Sequence, residues 1–114
     1  MSKNQQTILV VEDEDEISSN INVMLTRKGY RVLRAIDADG AITMAEQDRP
    51  TMILTDLDLP TLDSMMLRIR AHQTLNNMLV AVIDINDPAS AKDGLKILNN
   101  FDELDVMLGA AAES

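Results

Sequence analysis

The sequence predicts a doubly wound α/β domain, a parallel sheet with helices on both faces. Three observations predict it. Short apolar runs alternate with segments whose apolar residues recur at helical spacing. The runs, such as Ile8-Leu9-Val10-Val11 and Met52-Ile53-Leu54-Thr55, are continuous rather than alternating, as in strands buried on both faces. Acids follow two of these runs directly, Glu12 and Asp13 after the first and Asp56 after the second.

Taken in order, Thr7–Val11 is the first strand. Asp13 or Asp15 caps the helix that follows, and acids enrich its first turn, as the helix dipole favours. Ile17, Ile21, Met24 and Leu25 form its inward stripe, and Gly29 closes it. Tyr30–Ala35 is the second strand. Asp37 or Asp39 precedes a helix with Ala41, Ile42 and Ala45 on one face. Arg49-Pro50 ends that helix, because proline disfavours helical geometry in the residue before it. Thr51–Thr55 is the third strand, and Pro60 sits in the loop after it. Ser64–Ala71 reads as a helix with Met65, Met66 and Ile69 inward. Met78–Ile83, the most apolar run, is expected as a fourth, central strand. Asp87-Pro88 starts a turn or short helix, with few residues before Gly94. Leu95–Leu98 is a short fifth strand. Asp102-Glu103 open a last helix, with Leu104, Met107, Leu108 and Ala111 on one face. His72, in a polar stretch, is expected at the surface, and Met65-Met66 as core filling.

The chain has 114 residues, enough for one domain with a real core. Ten basic residues face 19 acidic ones, a net charge of −9. That argues against direct binding to nucleic acid or an anionic membrane, since both reward positive charge. The absence of Cys excludes disulfides, thiol catalysis and Cys-ligated zinc, and fits a cytoplasmic setting. The first residues, Met1-Ser2-Lys3-Asn4-Gln5-Gln6, have no apolar signal core. No apolar stretch approaches the ~18–20 residues that span a bilayer. No repeat, low-complexity tract or linker is visible, so residues 1–114 are read as a single domain.

The acids carry the chemistry. In an open α/β sheet, ligands bind beyond the carboxyl ends of the strands. Glu12, Asp13 and Asp56 would converge there. Clustered carboxylates repel unless a cation sits among them. Hard oxygen ligands suit Mg²⁺, which keeps several waters and often brings in a phosphate.

These residues, in this order, resemble the receiver domain of bacterial two-component response regulators. Val10-Val11-Glu12-Asp13-Glu14 looks like that family's acidic pair after the first strand. Thr55-Asp56-Leu57-Asp58-Leu59-Pro60 looks like its phosphoacceptor segment, with proline four residues after the aspartate. Leu62-Asp63-Ser64 resembles its Met-Asp-Gly turn, with Ser64 in place of glycine. The resemblance covers nearly the whole chain and is strongest from Thr7 to Asp63. It implies a flavodoxin-like receiver fold with strand order 2-1-3-4-5. It also implies that Asp56 accepts a phosphoryl group from a histidine kinase or phosphotransfer protein. Asp13 and Asp56 would ligate Mg²⁺ directly, Glu12 directly or through water, and the backbone carbonyl of Asp58 would complete the protein ligands. A downstream protein partner or a fused output domain would read the state of Asp56.

The second half of the chain departs from the family pattern. Where the resemblance leads one to expect Thr or Ser after the fourth strand, the sequence has Asp84. Where it leads one to expect Lys after the fifth, it has Asn99, and the aromatic of that strand falls on Lys96. The fourth helix is shortened to about one turn. Asn99 can donate a hydrogen bond but brings no charge. An ionised Asp84 cannot donate, and a unit charge pair at ~4 Å is worth ~4 kcal/mol at an effective dielectric near 20, so like charges there oppose phosphorylation. Lys96 lies three positions before Asn99, roughly 10 Å away and on the opposite face of the strand. Lys92, in the shortened crossover, is the alternative cation.

Three functions fit. The first is a phosphoacceptor module that is not itself an enzyme. The second is a pseudo-receiver, the same scaffold used as a phosphorylation-independent interaction module. The third, ranked last, is a small Mg²⁺-dependent phosphatase-like enzyme. The chain is short for that, lacks a cap domain and has no lysine beside the acids.

Overall fold

The computed structural model describes residues 5–56, 59–83 and 96–98. Strands β1 (Thr7–Val11), β2 (Arg31–Ala35), β3 (Met52–Asp56), β4 (Leu79–Ile83) and β5 (Lys96–Leu98) form one sheet. Their order is β2-β1-β3-β4-β5 and every pairing is parallel. Helices α1 (Asp15–Arg27), α2 (Ala38–Asp48) and α3 (Leu62–Ala71) connect the first four strands. The expected sheet order therefore holds. One detail does not: β3, not β4, is the middle strand, and β4 lies between β3 and β5. The more apolar sequence of β4 does not make it central, for β3 is itself sealed, with all five of its residues buried. The expected shortened fourth helix, the Asp87-Pro88 turn and the last helix from Asp102 lie outside the described residues.

Side chains of a strand alternate between the two faces of the sheet. Leu9, Val11 and Ile53 face one core with Ala41, Ile42 and Ala45 of α2 and Leu62, Met65 and Ile69 of α3. Ile8, Val10, Met52 and Leu54 face the other with Ile21 and Leu25 of α1. Met65 and Ile69 are fully buried as expected and Met66 is partly so. Met24 does not join the α1 stripe, for it is 42% exposed.

The helix ends follow local chemistry. The N-cap of α1 is Glu14 rather than Asp13 or Asp15, and its side chain makes no capping bond. At the other end Gly29 adopts φ +96, a conformation that side chains disfavour. Gly29 N–H donates to Thr26 O (3.0 Å) and Tyr30 N–H to Leu25 O (3.1 Å), which closes the last carbonyls of the helix. A Cβ at Gly29 would meet nothing within 4 Å, so the constraint is backbone conformation alone.

Asp37 is the N-cap of α2, and its Oδ1 accepts from Gly40 N–H at 2.9 Å. Asp37→Ala should cost about 1 kcal/mol of unfolding free energy by urea titration. An unchanged midpoint would mean that this bond adds nothing to the helix. Arg49 ends α2 in the left-handed region (φ 49), where glycine is usual, with Pro50 directly after it.

Helix α3 begins at Leu62, two residues before the expected start at Ser64. Leu62 is buried and Met65 N–H donates to Thr61 O, so the Leu62-Asp63-Ser64 segment is already helical. Thr61 Oγ1 accepts from Ala38 N–H (3.1 Å), which ties the start of α2 to the start of α3.

Candidate functional site

The register of the sheet builds the site. Val11 is level with Ala35 of β2 and Thr55 of β3. The next residues of β1 and β3, Glu12 and Asp56, therefore come level at the carboxyl edge. Glu12 N–H donates to Ala35 O (3.0 Å), which extends the ladder one residue past β1. Thr55 Oγ1 donates to Val11 O (3.3 Å) and cross-links the two strands beneath the acids. Leu59 N–H donates to Asp56 O (3.0 Å).

Glu12 is 1% exposed and Asp56 8%, whereas Asp13 and Glu14 are exposed. Carboxylate oxygens of Glu12, Asp13 and Glu14 all lie within 4.8 Å of one another. The Asp56 carboxyl is a close neighbour of the Glu12 carboxyl. Burial raises the Glu12 pKa from 4.5 to about 7. The Glu14 backbone N–H, which donates to Glu12 Oε2 at 3.0 Å, opposes that rise. The hydrogen bond and charge of Asp56, and then Asp13, add to it.

Glu12 Oε1 is buried with no hydrogen-bond donor among the described residues. An orphaned buried oxygen among exposed acids fits a hard divalent cation, whose preferred ligands are oxygens of this kind. Glu12, Asp13 and Asp56 would supply such ligands, and Glu14 offers a fourth carboxylate.

The other expected positions fall as follows. Asp58, Asp84 and Asn99 lie outside the described residues. Lys96 opens β5 opposite Ala81, two levels below the Ile83–Asp56 pair and two strands from β3. His72 lies at the surface, partly buried, with its Nε2 2.7 Å from Glu46 Oε2. An open cavity of about 400 Å³ lies at the far end of the sheet, where Arg49, Thr51, Thr74 and Asn77 line it, away from the acids.

Sequence reasoning missed Arg34. Its Nη2 donates to Glu12 O (3.1 Å) and its Nη1 pairs with Asp15 Oδ1 (2.8 Å). The available signal was a charged residue directly after the apolar pair Val32-Leu33 at the end of the strand, at the same edge as the acids.

A five-stranded parallel sheet of order 2-1-3-4-5 with a carboxylate cluster at its carboxyl edge defines a flavodoxin-like receiver fold. The family model for the response regulator receiver domain matches residues 8–97, and the chain belongs to that family. The transcriptional regulatory protein AfsQ1 of Streptomyces coelicolor is 28% identical over 90 residues, 79% of this chain and 40% of that protein. The alkaline phosphatase synthesis transcriptional regulatory protein PhoP of Bacillus subtilis is 43% identical over 56 residues, 49% of this chain and 23% of that protein. The chain thus spans less than half the length of these curated relatives. The receiver domain of sensor histidine kinase PA1611 from Pseudomonas aeruginosa, whose crystal structure has a magnesium ion coordinated in the active site cleft, is 28% identical. It superposes with a TM-score of 0.80 over 96% of this chain and 99% of that one. The chemotaxis response regulator CheY4 of Vibrio cholerae, at 20% identity and a TM-score of 0.75 over 95% of this chain and 99% of that one, shares the fold. Among the described residues no helix is long and apolar enough to cross a membrane.

Proposed function

We propose that this chain is a phosphoacceptor module of two-component signalling, with Asp56 accepting a phosphoryl group from a histidine kinase or phosphotransfer protein. One observation carries the reading: the buried Glu12–Asp56 carboxyl pair at the carboxyl edge, with Asp13 beside it. Glu12, Asp13 and Asp56 would hold Mg²⁺, with the Asp58 backbone carbonyl as a further ligand. Bound Mg²⁺ would offset negative charge on the transferred phosphoryl oxygens. An Asp56 carboxylate oxygen attacks phosphorus in line. The O–P bond forms as the P–N bond to the donor imidazole breaks, and the imidazole nitrogen leaves with the electron pair. The product is an acyl phosphate on a binding module, not turnover of a diffusing substrate. The module works in the cytoplasm, and a downstream partner or fused output domain reads it. Incubation with Mg²⁺ and a phosphoramidate should add one phosphoryl mass to wild type and none to Asp56→Asn. Equal uptake by both, or none by wild type with the fold intact, would remove Asp56 from this role.

The pseudo-receiver reading has its own support, the acid at position 84 and the uncharged residue at 99. Asp84→Thr together with Asn99→Lys should raise phosphoryl uptake on Asp56 several-fold. A donor and a cation then meet the phosphoryl oxygens in place of an acid and an amide. No gain, with an unchanged circular dichroism spectrum, would count against these two positions as the family's hydroxyl and lysine.

A further inference from the structure

Among the described residues, Arg34 is a cation that the structure brings to the acidic loop. It pairs with Val10 across the β1–β2 register, on the sheet face that packs against α1. From there it reaches past the end of β1. One guanidinium nitrogen holds the Glu12 carbonyl and another holds Asp15, the first residue of α1. These two anchors bracket the segment Glu12-Asp13-Glu14, whose carboxylates crowd within 4.8 Å. Mutual repulsion would spread that segment, and a tether at both ends resists the spreading. The guanidinium Nε is buried and without a hydrogen-bond partner among the described residues. The Asp15 end of the tether is exposed, so the Glu12 carbonyl is the firmer of the two anchors.

We propose that Arg34 is a positioning residue that clamps both ends of the acidic loop and thereby raises its affinity for a divalent cation. The inference rests on the reading of Glu12, Asp13 and Asp56 as cation ligands. Its sign separates it from a bland electrostatic role. As a bare positive charge, Arg34 would repel Mg²⁺, and its removal would tighten binding. As a clamp it lowers the cost of ordering the loop, and its removal weakens binding. Lysine keeps the charge, but its single nitrogen does not reproduce the fork that spans two separate acceptors.

The test is calorimetric titration of Mg²⁺ into wild type, Arg34→Met and Arg34→Lys, with amide exchange of residues 12–15 measured in metal-free protein. Both variants should bind Mg²⁺ a few-fold more weakly, in keeping with the modest strength of one exposed ion pair and one hydrogen bond. Both should exchange faster at residues 12–15 while the β3 amides keep wild-type protection, which shows that the fold is retained. Tighter binding by Arg34→Met, or wild-type affinity in Arg34→Lys, would overturn the clamp. So would unchanged exchange at residues 12–15. If wild type itself binds no Mg²⁺, the cation reading of the site fails together with the affinity effect, and the metal-free exchange still decides whether Arg34 orders the loop.

Discussion

In metal-free buffer, wild type should lose about 2–3 kcal/mol of stability relative to Glu12→Gln between about pH 5 and about pH 7.5. Folded Glu12 holds its proton up to about pH 7, whereas the unfolded residue releases it near 4.5. Between those values the folded state binds more protons, so raising the pH favours unfolding. Below the unfolded value both states are protonated and the residue contributes nothing. Above the folded value the full cost of a buried charge beside Asp56 remains. Glutamine has the same shape and no charge to release. Millimolar Mg²⁺ should narrow the gap at the upper end of the range, because a ligand that binds only the folded state stabilises it by mass action. Urea titrations of both proteins across this range provide the check. Parallel curves would show that Glu12 titrates in the folded protein as it does in the unfolded chain.

Ile53→Ala should be a severely damaging truncation of the sheet, costing about 2–5 kcal/mol. Ile53 is 0% exposed at the centre of β3, the middle strand, and packs in the core shared with α2 and α3. Strands on both sides leave the cavity little room to collapse. A domain of this size has roughly 5–15 kcal/mol in total, so the melting temperature should fall by about 10 °C or more. Leu67→Ala is the matched control, since Leu67 is 74% exposed and its loss should stay within about 0.5 kcal/mol. Similar losses for the two variants would mean that the packing described for β3 is wrong.

The alternation of strands and helices was legible because each element carries its own signature. Thr7–Val11 was placed to the residue, since a polar flank and Glu12 bound a continuous apolar run. The C-terminal end of α1 was legible from Gly29 and the start of α2 was narrowed to Asp37 or Asp39, because the backbone role of Gly29 and the side-chain cap of Asp37 are both local. The start of α3 was not, because Leu62 and Asp63 are helical by virtue of the packing of Leu62 and the Thr61 bonds, which sequence spacing does not display. Met24 carried the right spacing for the core and still faces solvent. The α1 interface is set by Ile21 and Leu25 against the sheet, not by periodicity alone.

For the site, the sequence by itself determined which acids stand at strand ends, and hence that Glu12, Asp13 and Asp56 gather at one edge of a parallel sheet. That follows from chain order and strand polarity. Only the tertiary structure decided that Glu12 and Asp56 are buried while Asp13 is exposed, because burial depends on what packs above each carboxylate. It alone raised Glu12 to about 7, since desolvation and a neighbouring acid are properties of the folded surroundings. It alone joined Arg34 to a loop some twenty residues earlier, through the lateral register of β1 and β2, a pairing between strands that no local pattern along the chain encodes.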